Sequence, residues 1–187
     1  HFLDSADNKR KALVSSFIWR RFNLEGWEWC EDLDKSEWTP EQVGEFLAYL
    51  PFTKEAWNRA SEWLQAQENE YWTRTGANAY QADGDLGEAI EKLIKHGRPH
   101  AAINCLDRMR HAKQPIDNNQ CVRALLAALS SSEPSYAMDG YHIVELIKFL
   151  QAEPSVNQDD LFRVEWSYVP LLDRNRGAAP KLLESRL

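Results

Sequence analysis

DLGEAIEKLIKHGRPHAAINCLDRM, running from Asp85 to Met109, reads as two helices and the turn between them. Leu86, Ala89, Ile90, Leu93 and Ile94 recur at the three-and-four spacing of a single helical face, and Asp85 stands where a start cap is wanted. Gly97 falls where a helix closes in the left-handed backbone region, and Pro99 suits the first turn of the next helix. Ala102, Cys105, Leu106 and Met109 then line a second apolar face. A turn this short forces the two faces together as antiparallel neighbours. The stretch therefore predicts an all-α fold built from helix pairs.

Downstream the pattern returns. Asp117 and Gln120 form a capping signal ahead of Cys121, Val122, Leu125, Leu126 and Leu129. A Ser-Ser-Ser-Glu-Pro loop leads to a partner helix bearing Ile143, Leu146, Ile147 and Leu150. A third unit begins near Gln158 with Leu161, Val164, Tyr168 and Leu172, and Pro170 is expected to kink or end it. Pro180 opens a last helix. The starts near 86, 118 and 158 are spaced as helix-pair repeats that stack into solenoids, although unevenly.

Upstream, a helix over about 5–22 carries Leu13, Val14, Phe17, Ile18 and Phe22, with Lys9, Arg10, Lys11, Arg20 and Arg21 on its wetter sides and Gly26 closing it. Trp27-Glu28-Trp29 begins a short helical turn. Thr39, Pro40 and Gln42 make a capping box for a helix with Val43, Phe46, Leu47 and Leu50 on one stripe, and Pro51 ends it. Thr53 caps the next helix, where Trp57, Ala60 and Leu64 share a face, and Tyr71-Trp72 continues or follows it after a break. Loops are expected at 75–84 and 130–136. The whole amounts to about eight to ten helices in one domain over 1–187, with a Trp-rich part at 1–75 and a helix-pair part at 85–187.

The formal net charge of −7 argues against a general affinity for nucleic-acid phosphates or anionic lipid. Cys30, Cys105 and Cys121 are widely spaced among apolar neighbours and read as reduced core thiols. No apolar run approaches the roughly 20 residues of a membrane-spanning helix. With no signal-peptide pattern, a cytoplasmic home is expected. The chain opens at His1-Phe2 and stops inside an amphipathic pattern at Leu187, so it is expected to be a segment of a longer protein.

Seven of the eight tryptophans fall between Trp19 and Trp72. Trp57 and Trp63, at helical spacing among apolar residues, read as packing, whereas Trp27, Trp29 and Trp38 flank charges and are expected to be partly exposed. His96 and His100 are four apart, as in some zinc sites, but Gly97 and Pro99 break the helix they would need. His111 and His142 read as surface or helix-end residues. Asp83 to Glu88 alternates carboxylates as a calcium loop does, yet Glu88 and Ile94 stand where that loop needs Gly and a terminal Glu. The chain has no Gly-x-Ser-x-Gly elbow, phosphate loop or His-Glu-x-x-His helix. Asp159, Asp160 and Glu165 read as a solvated face near a helix start. No metal or cofactor is implied.

From Leu86 to Pro115 the chain resembles tetratricopeptide and HEAT-type α-solenoids: Leu86-Gly87, Ile90 and Ile103 fit the tetratricopeptide pattern. Asp83, Pro99 and His111 stand where it wants Trp, Ala and Pro. Gly26-Trp27-x-Trp29, Leu47 to Phe52, Tyr71-Trp72 and Gly97-Arg98-Pro99-x-Ala101-Ala102 are together similar to a helical region of large bacterial multidomain proteins. That resemblance implies a scaffold or sensor segment and assigns no catalytic residue.

These readings converge on a non-catalytic module that binds a protein or peptide, or other domains of its own chain. Arg and Trp dominate interface anchors, which makes Arg20, Arg21, Trp27, Trp29, Arg98, Arg163 and Trp166 the candidate contacts. The alternatives are an enzyme with a helical cavity, which requires clustered His, Asp or Glu, and a nucleic-acid-binding helical module drawing on the basic positions of the first helix.

Overall fold

The computed structural model of the protein describes residues 2–82, 84 and 86–173, and these residues hold nine α-helices, one 3-10 turn and no strand. The fold is all-α. Two compact units divide the chain, His1–Gln81 and Ala82–Leu187, where the sequence suggested one domain in two parts. The division falls inside the expected 75–84 loop.

In the first unit, α1 (Phe2–Asp32) is broken at Gly26, whose φ of 66° and ψ of −151° interrupt the helical backbone at the predicted closing glycine. Lys35 finishes α1 by donating from Nζ to the carbonyls of Cys30 (2.7 Å), Glu31 (3.2 Å) and Leu33 (2.9 Å). A cation there satisfies carbonyls that the helix leaves without partners. The capping box of α2 (Pro40–Ala48) forms as expected, with Thr39 Oγ1 accepting from Gln42 N and Gln42 Oε1 accepting from Thr39 N. Thr53 precedes α3 (Lys54–Leu64), but its side chain makes no cap hydrogen bond.

A 3-10 turn, Gln65–Gln67, supplies the break before α4 (Asn69–Trp72). Phe52, Trp57 and Trp72 are buried with ring centroids 5.0 to 6.3 Å apart and form the aromatic centre of the unit. Gly44 is buried in α2, and a Cβ there would lie 2.6 Å from the Glu70 backbone. Only glycine lets α2 and α4 approach so closely.

The second unit contains α5 (Gly87–Lys95), α6 (Pro99–His111), α7 (Asn118–Ala128), α8 (Asp139–Ala152) and α9 (Gln158–Asp173). Each helix packs on the next, and α5 also packs on α7, α6 on α8 and α7 on α9. This makes two layers, with α5, α7 and α9 in one and α6 and α8 in the other. Leu93, Ile103, Leu106, Leu125, Leu146 and Val164, all buried, fill the space between them.

Several local expectations change here. Leu86 precedes α5 without a side-chain cap, and the cap expected of Asp85 lies outside the described residues, as does the helix after Pro180. Asp117 caps α7 through Asn119 N and Gln120 N, yet Gln120 reaches across to Gly87 O (3.1 Å) on α5 instead of closing a box. Helix α9 continues past Pro170 to Asp173, so the proline does not end it.

Candidate interaction surface

Leu13, Phe17, Arg20 and Leu24 lie at i, i+4, i+7 and i+11 on α1 and therefore form one line along the helix. Leu13 is 73% exposed, Phe17 60% and Leu24 70%. Arg20 is exposed on the same line. Around the helix from it, Val14 and buried Ile18 face Trp38, Phe46 and Tyr49 across a cleft of about 400 Å³ between α1 and α2. Lys11, Gln42 and Glu45 border the cleft. Tyr49 Oη donates to Glu45 (2.8 Å), which fixes that carboxylate within the wall.

The other predicted contacts of this unit are tied into it. Arg21 pairs with Glu25 (2.5 Å) and lies over the Trp29 ring (5.6 Å). Trp27 donates from Nε1 to Glu55 (2.7 Å), carries the Arg59 guanidinium 4.0 Å above its ring, and so fastens the end of α1 to α3. Arg59 also pairs with Glu31. Trp29 stands between Phe17 (6.5 Å) and Phe46 (5.9 Å), and Phe46 meets Trp38 (5.4 Å). An aromatic row thus runs from the exposed line into the cleft. Trp27, Trp29 and Trp38 are all partly exposed, as their sequence setting suggested, while Trp57 is buried. Trp63 is half-buried with Lys35 Nζ 4.5 Å above its ring.

In the second unit, Arg98 is a strap at the start of α6. Its Nε donates to Glu133 Oε1 (2.6 Å) and its Nη2 to Tyr136 Oη (3.1 Å). Desolvation works against the guanidinium charge, but these hydrogen bonds outweigh it and hold Arg98 above its usual range. Glu133 Oε2 also accepts from the backbone N–H groups of His100 (2.7 Å) and Ala101 (3.3 Å), a cap supplied by a distant loop. His100 Nδ1 lies 2.9 Å from Asp139 Oδ2, within ion-pair distance but without hydrogen-bond geometry. Asp139 Oδ2 accepts from Tyr136 N (2.7 Å).

Further along the same two helices, buried Asp107 gathers Arg110 (2.9 Å), His111 (3.1 Å) and His142 (3.5 Å), and Arg110 reaches Glu145 on α8 (3.5 Å). His111 is exposed at the end of α6, whereas His142 turns inward from the first turn of α8. Each helix of the α6–α8 seam thus lends one histidine to a carboxylate of the other. Sequence spacing gave no signal for Glu133, or for the pairing of Asp139 with His100 and of Asp107 with His142, because those partners come from other elements, whereas Arg110 and His111 lie three and four positions from Asp107 on α6 itself.

Arg163 is exposed on α9, and Trp166 is 71% exposed with its ring stacked on Phe162 (6.2 Å, 20°). The three cysteines are free and fully buried. Burial pushes the Cys30 thiol up to about 11 and those of Cys105 and Cys121 up to about 12, well away from thiolate reactivity. Among the described residues no group of three or more His, Cys, Asp or Glu is placed to hold a metal ion, and no helix is long and apolar enough to cross a membrane. No family model, curated protein or solved structure matches the chain.

Proposed function

We propose that the chain is a non-catalytic protein-interaction or regulatory module of a larger cytoplasmic protein. The observation that carries this reading is the line Leu13, Phe17 and Leu24 on α1, each residue at least 60% exposed, with Phe17 joined through Trp29 to Phe46 of the neighbouring cleft. Apolar side chains concentrated on one face, beside a concave wall, are what a partner's anchors require. Arg20 lies on the line, Trp29 joins it to the cleft, and Arg163 with Trp166 offers a separate exposed patch in the second unit.

The test compares the proteins retained from a cross-linked lysate of the source cells by the wild-type chain and by Phe17→Asp. Position 17 is 60% exposed, so the substitution spares the core. The reading expects a discrete set retained by the wild type and missing from the variant. Identical sets from the two baits would remove α1 as the recognition surface.

A further inference from the structure

We infer that the cleft between α1 and α2 binds a small organic cation with an apolar body, of the quaternary ammonium class. The inference goes beyond the interaction reading and stands whether or not a protein docks on the α1 line, because it concerns the neighbouring cavity alone. That cavity, about 400 Å³, has the size at which small organic ligands are enclosed. Gln42, Glu45, Phe46 and Tyr49 are spaced i, i+3, i+4 and i+7, so one face of α2 makes one wall, and Val14 and Ile18 of α1 make the other. Trp38, just ahead of α2, adds a third aromatic ring beside Phe46 and Tyr49. The Trp38 and Phe46 rings stand at 73° with centroids 5.4 Å apart, so they are not stacked face on face. The face of an aromatic ring is its negative side and attracts a cation.

Charge decides the class of ligand. Glu45 is half-buried, and Tyr49 Oη donates to its Oε1 at 2.8 Å, which fixes the carboxylate beside the rings while engaging one of its two oxygens. Lys11 borders the same cleft but is exposed, and water and salt screen an exposed charge more than a half-buried one. Three rings and a carboxylate therefore outweigh one solvated ammonium. An anion in the cleft would set its charge against Glu45. A neutral apolar ligand would gain the walls but strip water from Glu45 with no charge to answer it. A quaternary ammonium answers the carboxylate, spreads its charge over methyl groups that suit aromatic faces, and has no N–H left to satisfy.

The experiment titrates the whole chain with benzyltrimethylammonium and, separately, with phenylacetate, which carries the same ring and the opposite charge, and follows both by calorimetry and by amide chemical shifts. The cation is expected to bind about five-fold more tightly or better. Its shifts are expected to gather on α1 and α2 around the cleft, at Val14, Glu45 and Tyr49 among others. Glu45→Gln keeps an acceptor for Tyr49 and should weaken the cation about five-fold; Trp38→Leu, which leaves the net charge unchanged, should weaken it similarly. Equal or tighter binding of phenylacetate would overturn the inference, as would shifts spread over the acidic surface or gathered away from the cleft. The shift map is read on the wild-type chain and does not depend on how the variants fold. Absence of cation binding overturns the inference too, and so does cation binding that both variants leave intact. Phosphatidylcholine vesicles present the same ammonium on a lipid, and their capture without binding of the free probe would replace the small molecule with a membrane headgroup. The lysate comparison with Phe17→Asp is a separate readout, so failure of the cation leaves the interaction reading standing.

Discussion

Lys113 and Gly97 occupy the same place in two copies of one turn. After α5, Arg98 N donates to Leu93 O and Gly97 N to Ile94 O; after α6, Gln114 N donates to Met109 O and Lys113 N to Arg110 O. Both sets are the paired bonds of a helix closed by a left-handed residue. Gly97 has φ of 75° and suffers no clash there, whereas Lys113, at φ of 55°, carries a Cβ into a region that L residues avoid. Lys113 is exposed, so no packing compensates. Lys113→Gly is therefore expected to raise unfolding stability by about 1 kcal/mol, measured by urea titration. A decrease would mean that the lysine side chain supports the turn. Gly97 was legible from composition because glycine advertises positive φ; Lys113 was not, since nothing about lysine announces it.

Among the elements, α6 depends most on a residue far from it in sequence. Glu133 reaches back 33 positions to His100 N and 32 to Ala101 N while neutralising Arg98. Its side chain is 5% exposed, so removing it leaves a half-buried guanidinium and two N–H groups without their acceptor. Glu133→Ala is expected to cost roughly 3 kcal/mol, and Glu133→Gln less, because the amide oxygen still accepts from the backbone. Equal losses for the two variants in urea melts would show that charge alone governs the site. The capping boxes explain which devices were readable: Thr39 and Gln42 act within one turn, so their pattern is local, and it forms. Gln120, with the same spacing from Asp117, is drawn to α5 instead. Gly44 defies helix propensity for a reason equally hidden, the Glu70 backbone beside it.

For the molecule as a whole, the three-and-four periodicity conveyed the helical class and most buried positions, because burial of an apolar stripe is what makes a short helix persist. The same periodicity misjudged α1. Leu13, Phe17 and Ile18 look alike in sequence, but only Ile18 is buried, and the exposed pair becomes the candidate surface. Arg98 made the opposite exchange, from predicted contact to internal strap. Neither outcome is encoded in spacing; both depend on which neighbouring element arrives. We propose that the α1 line is where another protein docks. A photoreactive benzophenone side chain placed at position 17 of the otherwise intact chain, irradiated in the source cells, tests it most directly. A discrete protein adduct is expected at position 17 that the same group at exposed position 119, on α7, does not form. No adduct from position 17, or the same adducts from both positions, would contradict it.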